Sequence, residues 1–335
     1  MHRGVNTHPI QGQADRYGER MELDTVGSLG EFGIISRITQ GLPAAPAVSV
    51  GPGDDAAVFL VNGSSVTSVD VLVEGVHFRR DWVPAEMLGR RAVAAAAADI
   101  EAMGAYQVAV LVGLTVPTDI PVAWIDDLAK GIRLECEAAG AVLVGGDLTR
   151  GRDVVISVTV MGETCGTVPV LRSGAQPGDV VAFRGRLGWS AGGLAVLSRG
   201  FRSPRALVEA YQLPQVPYGA GAEASLAGAT AMIDVSDGLI ADLGHIADSS
   251  QVCIDLDSGR FDVPEPLHAV AAATGSDPLR FILTGGEDHA LVATFPLGNV
   301  PPDWQVIGVV SDAEPVVLVD GQPYDQAQGW DHFRH

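Results

Sequence analysis

Two rhythms of apolar and polar positions succeed one another along the chain, and they predict interleaved strands and helices. In "GEFGIISRITQGL" (30–42) Phe32, Ile35 and Ile38 fall on one side of a helix that Gly41 is placed to stop. "AAVFLV" (56–61) and "SSVTSVDVLVEGVHF" (64–78) read as strands flanked by glycine and acidic punctuation. Residues 86–103 form a helix by propensity, with six alanines in the seven positions from Ala92 to Ala98. "QVAVLVGLTVP" is a strand stopped by Pro117, "VAWIDDLAKGIRLECEAAG" an amphipathic helix, and "AVLVGGD" and "DVVISVTVMGE" are strands again. A turn and fresh strand in "SGAQPGDVVAFRG" (173–185) open a second unit. It continues with a helix at 190–199, a Pro-rich connection at 213–217, "IDVSDGLIADL" (233–243) and "FILTGGEDHALVATF" (281–295). The expectation is an α+β fold, with an extension over 1–23, one domain over 24–165 and a second over 166–335.

Composition narrows the class. A chain of 335 residues, 47% hydrophobic and 19% charged, has the material for two packed cores. A net charge of −20 excludes a nucleic-acid surface, because no basic stripe is available to displace counterions. Divalent cations could still bridge such a protein to phosphates. Cys136, Cys165 and Cys253 are scattered without metal-type spacing and read as ordinary thiols. No apolar run reaches membrane-spanning length, and residues 1–23 lack the apolar core of a signal peptide. A cytoplasmic protein without membrane or nucleic-acid partners is the expectation. No short-period repeat suggests a solenoid.

The chemistry lies in the carboxylates. Asp54, Asp55, Asp70, Asp99, Asp147, Asp234, Asp237, Glu287 and Asp288 sit at predicted strand ends, beside glycine, or on an otherwise apolar helix face. "VGPGDD", "VGGD" and "LTGGED" share one device, an apolar strand ending in Gly and an acid. Each acid alone suits a turn, and those of 233–243 suit a helix cap equally well. If they converge, their repulsion demands cations, and hard oxygen donors select Mg²⁺. Carboxylates around Mg²⁺ are the apparatus of phosphoryl transfer. The chain has no G-x-x-x-x-G-K-[ST] loop, kinase catalytic loop or G-x-G-x-x-G turn. A nucleotide would therefore rest on metals, glycine amides and an occasional Arg.

Nine segments occur in a familiar order: "GEFGIISRI", "GPGDDAAV", "SVDVLVEGVHF", "DIEAMGA", "GGDLTRG", "LRSGAQPGD", "IDVSDGLIADLGHIA", "LTGGEDHAL" and "GWDHF". In this order, from Gly30 to Phe333, the chain resembles the thiamine-monophosphate kinases, of the aminoimidazole-ribonucleotide synthetase superfamily. The resemblance implies a two-domain α+β homodimer joined through its N-terminal sheets, with ATP at the acidic site. It implies transfer of the ATP γ-phosphate to thiamine monophosphate, giving thiamine diphosphate and ADP. Several Mg²⁺ ions would assist, and no side chain would serve as nucleophile or general base. On the matched positions, metal ligands would be Asp55, Ser68, Asp70, Asp99, Asp147, Asp234 and Asp237, with Val69 offering only its carbonyl. Gly146, Asp147, Arg172 and Ser236 match nucleotide contacts, and His77, Glu287 and Trp330 match contacts to the thiamine substrate.

The chain departs from the family pattern in four places, one being "QLPQVPYGAG", which replaces an Arg-Pro pair expected in the linker. Ala96, Ala97 and Ala98 stand where Asn-x-Ser is common, His289 replaces a tyrosine, and Ala129 occupies the region of another. Two alternatives use the same features. A selenophosphate-synthetase or hydrogenase-maturation type of enzyme would need a cysteine near either end, whereas the first here is Cys136 and the last residues are "GWDHFRH". A catalytically silent nucleotide-binding module would not need the aspartates, all of which are present.

Overall fold

Helices and strands alternate in the computed structural model, which describes residues 24–53 and 56–324. The predicted extension over 1–23 and the candidate ligands Asp55 and Trp330 lie outside the described residues. Helix α1 (Val26–Thr39) starts before the apolar spacing does. Thr25 and Ser28 cap it reciprocally: the Ser28 N–H donates to Thr25 Oγ1 at 3.2 Å and the Thr25 N–H to Ser28 Oγ at 2.9 Å. At Gly30 φ is +73°, so the helix kinks. The kink turns Ile34 into the core at 0% exposure and leaves Phe32 83% exposed, correcting the predicted inward face. Strands β1 (Val48–Val50) and β2 (Val58–Phe59) form a small antiparallel hairpin, shorter than the run at 56–61 suggests.

The first large sheet is built from β3 (Ser65–Val73), β4 (Tyr106–Val116), β5 (Val142–Arg150) and β6 (Val155–Glu163), in the order β3-β6-β4-β5. Only β4 and β5 are parallel, and the helix between them supplies the crossover a parallel pair requires. That helix, α3 (Val122–Ala138), packs beside α2 (Ala85–Ala102). The two approach backbone to backbone. A Cβ on Gly131 would lie 1.9 Å from the Glu86 carbonyl oxygen, so no larger residue fits.

The second sheet has seven strands: β7 (Val180–Arg184), β8 (Ala231–Val235), β9 (Cys253–Leu256), β10 (Ala290–Phe295), β11 (Gln305–Ser311), β12 (Val316–Val319) and β13 (Gln322–Pro323). Their order is β13-β12-β9-β11-β7-β10-β8, antiparallel except for β9 with β12. Helices α4 (Trp189–Leu197), α5 (Arg205–Gln212), α6 (Ala220–Ala227), α7 (Leu239–Ser250), α8 (Glu265–Thr274) and α9 (Pro278–Thr284) complete it. Val181 faces one apolar core and its neighbours Val180 and Ala182 the other, so both faces of this sheet are covered. Two predicted strand ends need correction. "LTGGED" follows α9 rather than a strand, and "VGGD" lies within β5, which runs on to Arg150.

Helix α2 joins the halves. It touches β3, β4 and β6 on one side and β8, β10, α5 and α6 on the other. Ala92 through Ala98 are all buried, and this explains the alanine run: a helix with protein on every side needs small apolar residues throughout. The polar groups of the joint are paired. Buried Glu101 accepts the N–H groups of Gly219 and Gly221, both at 2.9 Å, and that of Gln107 Nε2 at 3.1 Å. Glu135 of α3 accepts from Arg90 Nε and Tyr218 Oη, both at 2.8 Å. No helix among the described residues is long and apolar enough to cross a membrane.

Overpacking a backbone contact as close as that of Gly131 forces α2 and α3 apart. Gly131→Ala is expected to lower stability by about 1–3 kcal/mol, read as a reduced urea midpoint. An unchanged midpoint would show that the helix pair yields without cost.

Candidate active site

Three of the predicted acids converge where the two sheets face each other across α2. Alternation along β3 puts Ser68, Asp70 and Leu72 on the side that carries the helices. On α2, Asp99 is met by Ser68, whose hydroxyl donates to Oδ2 at 2.5 Å. From the second half, β8 supplies buried Asp234, and Nδ1 of His289 lies 3.0 Å from its Oδ2. Burial raises the pKa of Asp70, with the charges of Asp234 and Glu287 adding to it. Asp99 is pushed to about 6 by burial and by the charges of Asp234 and Asp70, against the hydrogen bond from Ser68. His289 shows the opposite response. Burial opposes its charge, but the hydrogen bond and charge of Asp234, with Glu287 and Asp70, carry it to about 9. An imidazolium thus serves as counterion to the cluster, and its Nε2 has no hydrogen-bond partner among the described residues.

The segment "IDVSDGLIADL" resolves into β8, a tight loop and α7. The helix-capping reading does not hold: the N-cap is Gly238, with no side-chain hydrogen bond, and Asp242 ties down the loop instead. The backbone N–H groups of Ser236, Asp237 and Gly238 all donate to Oδ2 of Asp242, at 3.0, 3.1 and 3.0 Å. Ser236 and Asp237 stand outside the helix that follows. Burial, with the charges of Asp234 and Asp237, lifts Asp242 to about 7. The loop 285–289 is laid against this one: a Cβ on Gly286 would stand 2.3 Å from the Ser236 carbonyl oxygen. Two backbone bonds lock the pair, Glu287 N to Ser236 O at 2.8 Å and His289 N to Val235 O at 2.9 Å. They hold Glu287 and His289 at φ of +64° and +51°, where residues other than glycine are strained. Asp288 points elsewhere, accepting the N–H groups of Gly188 at 2.5 Å and Ser190 at 2.8 Å at the start of α4. Its role is a cap, not a ligand.

The substrate candidates His77 and Glu287 also meet. His77 Nδ1 accepts the Val73 N–H at 3.0 Å, and the ring is near enough to Glu287 to act on it electrostatically. Sequence reasoning missed Arg91, whose Nη2 donates to Glu287 Oε2 at 2.8 Å. A signal existed: Arg91 interrupts the apolar stretch of α2 as Asp99 does, about two helical turns away.

Other candidates stand apart. By register Asp70 shares a row with Val158, Val112 and Gly146, whereas Asp147 belongs to the row Val71, Ser157, Gly113 on the opposite, open face. Three strand spacings, about 14 Å, separate β3 from β5. Gly146 and Asp147 line a cleft of about 760 Å³ with Ile35, Ile38, Ala129, Gly53 and Ala56. Val69 faces outward, 57% exposed. Arg172 is exposed and follows Leu171, whose carbonyl accepts the Met232 N–H of β8. Among the described residues no three His, Cys, Asp or Glu side chains are close enough to hold one metal ion. The donors nonetheless fit a hard cation. They are carboxylate and hydroxyl oxygens, and Asp70 and Asp99 resist ionising together without one.

Comparison with known proteins follows this geometry. Residues 53–164 match the N-terminal domain of the AIR synthase related proteins and residues 176–321 their C-terminal domain. The chain is 47% identical to the thiamine-monophosphate kinase of Mycobacterium tuberculosis, over 93% of this chain and 94% of that one. It is 42% identical to that of Corynebacterium glutamicum, over 92% and 95%. Among solved structures, thiamine monophosphate kinase from Aquifex aeolicus superposes with a TM-score of 0.73 at 32% identity, covering 78% of this chain and 89% of that chain. A structure described as AaThiL complexed with AMPPCP and TMP also gives 0.73, at 29% identity, covering 93% and 100%. The hydrogenase maturation protein HypE of E. coli, 16% identical with a TM-score of 0.67 over 90% of this chain and 96% of that one, shares the fold alone.

Asp288 offers a test of the buried electrostatics. Burial raises its pKa from 3.8 to about 7 despite the amides it accepts, so the folded protein holds a proton there that the unfolded chain has released. Between those values stability falls as pH rises, and the loss is complete above the folded pKa. Asn cannot titrate. Melting curves from pH 5 to 8 should therefore show the wild type losing ground to Asp288→Asn, whereas parallel profiles would contradict the assignment.

Proposed function

The chain belongs to the thiamine-monophosphate kinases of the AIR synthase related family, and on that premise we propose that it transfers the γ-phosphate of ATP to thiamine monophosphate, releasing thiamine diphosphate and ADP. One observation carries the reading. Asp70, Asp99 and Asp234 arrive from two sheets at one locus, and at least two of them resist ionisation there. Mg²⁺ would be held by Asp70, Asp99, Asp234 and Asp237 with Ser68, and by Asp55 and Asp147. When bound, the metal supplies neutralisation of the triphosphate oxygens and of the displaced charge.

The chain's own groups do the rest. Gly146, Arg172 and Ser236 contact the nucleotide, and His77, Glu287 and Trp330 the thiamine substrate. The acceptor is a phosphate oxygen, already anionic at neutral pH, so it needs placement in line with the γ-phosphate rather than a general base. Transfer is direct, with no phosphorylated side chain. Residues 24–165 and 166–335 are two domains, with α2 in contact with both. A second copy packs on the open face of the four-stranded sheet, where Val69 and Val71 are exposed apolar residues.

Release of ADP in a coupled assay, dependent on thiamine monophosphate, tests the reaction. Asp70→Asn and Asp237→Asn should each lose most turnover while keeping the wild-type circular dichroism. Mg²⁺ with a non-hydrolysable ATP analogue should stabilise the wild type by ~2–4 kcal/mol at saturation. Wild-type turnover in either variant would remove these aspartates from the site.

A further inference from the structure

One buried charge is left over by the phosphate chemistry. Arg91 on α2 is 2% exposed, and its guanidinium is held from three sides. Nη1 donates to the carbonyl oxygen of Tyr211 at 2.8 Å, the planar group lies 4.7 Å from the centre of the Tyr211 ring, and Nη2 donates to Glu287 Oε2 at 2.8 Å. Tyr211 is itself fixed. It sits in the last turn of α5, its ring meets Trp82 edge-on at 6.2 Å, and the next residue, Gln212, donates to the Trp82 carbonyl at 2.7 Å. Two of the three contacts therefore anchor the arginine, and the third joins it to Glu287 beside the acidic cluster. A buried guanidinium without its carboxylate would be costly, so the pair is kept together.

Glu287 is the contrasting partner. Its side chain is 42% exposed at the rim, its backbone is held at φ +64°, and Arg91 engages only Oε2. Oε1 stands outside that ion pair. The surroundings of Glu287 resist its charge, but Arg91 foremost, then His289, keep the carboxyl below its usual range. A carboxylate so anchored has one oxygen committed to the arginine and its plane set in advance. Little ordering remains when a ligand arrives.

We propose that Arg91 is a positioning residue for recognition of the cationic substrate: it aims Glu287 so that the second carboxylate oxygen takes the positively charged ring or the amine of thiamine monophosphate. The proposal rests on the reading of Glu287 as a substrate contact. It adds a residue from the first half of the chain to recognition otherwise assigned to the loop at 285–289. The nucleotide does not enter this contact, so its affinity is independent of Arg91.

Steady-state kinetics of Arg91→Met, Arg91→Lys, Glu287→Gln and the double variant Arg91→Met/Glu287→Gln test it. Arg91→Met should raise KM for thiamine monophosphate about tenfold or more, the loss of one charge-assisted contact, with KM for ATP within about twofold. Arg91→Lys, which keeps the charge but not the two-pronged fork, should fall between Met and wild type. The double variant should be no worse than Glu287→Gln alone, because a mispositioned carboxylate has nothing left to lose. Should Arg91→Met fail to fold, the split between the two KM values in Arg91→Lys decides alone. A raised KM in Glu287→Gln with both arginine variants unchanged, or with multiplying effects in the double variant, overturns the role of Arg91 and leaves Glu287 in place. An unchanged KM in Glu287→Gln overturns both.

Discussion

A helix with solvent on neither side is the constraint on which the site depends. Because α2 is pressed between two sheets, its residues must be small, and where they are polar each must find a partner. Glu101 finds amides of α6, Asp99 finds Ser68, and Arg91 finds Glu287. Those partners come from both halves of the chain. Satisfying the helix therefore brings the sheets into register with each other, and the catalytic acids are carried along. The short residues at Ala96, Ala97 and Ala98, which depart from the pattern of relatives, fit this packing: all three are at 0% exposure.

Buried carboxyls here fall into two kinds, and the distinction is physical. Asp242 and Asp288 are surrounded by backbone N–H groups and serve the backbone, despite their raised pKa values. Asp70 and Asp99 face other acids and gain far fewer donors, Asp99 only the Ser68 hydroxyl. A raised pKa alone does not separate them. What separates them is whether the neighbours already offer what an anion needs. Where they do not, His289 stands in as a single positive charge against several negative ones, an arrangement that leaves room for cations.

Much of this was legible along the chain. The period-two runs gave β3, β4 and β6, and the helical spacing gave α2 and α3, because these elements are long and strongly patterned. Shorter signals misled. "FILT" is an apolar run of four that serves a helix or a strand equally, and it belongs to α9. Phe32 lay on the predicted inner face until the backbone turned at Gly30. The acids of the cluster could be picked out by motif order, but their separation from Asp147 could not, since it depends on a register across four strands. Arg91 escaped for a related reason. Its partner lies 196 residues away, and its place beside the apolar stretch of α2 does not say which distant residue answers it.

The loop ahead of α7 has one more implication. Three successive amides at the opening of a helix ordinarily make a ready seat for an oxyanion. Here the seat is already taken, by the Oδ2 of Asp242 from the helix's own first turn. A phosphate approaching this loop meets an internal anion rather than bare N–H groups, so geometry that welcomes phosphate elsewhere refuses it here unless positive charge arrives with it. For inhibitor chemistry the lesson is selective. Simple oxyanions that mimic a phosphate tail find these three amides taken, whereas compounds that bring or chelate a cation address what the loop lacks.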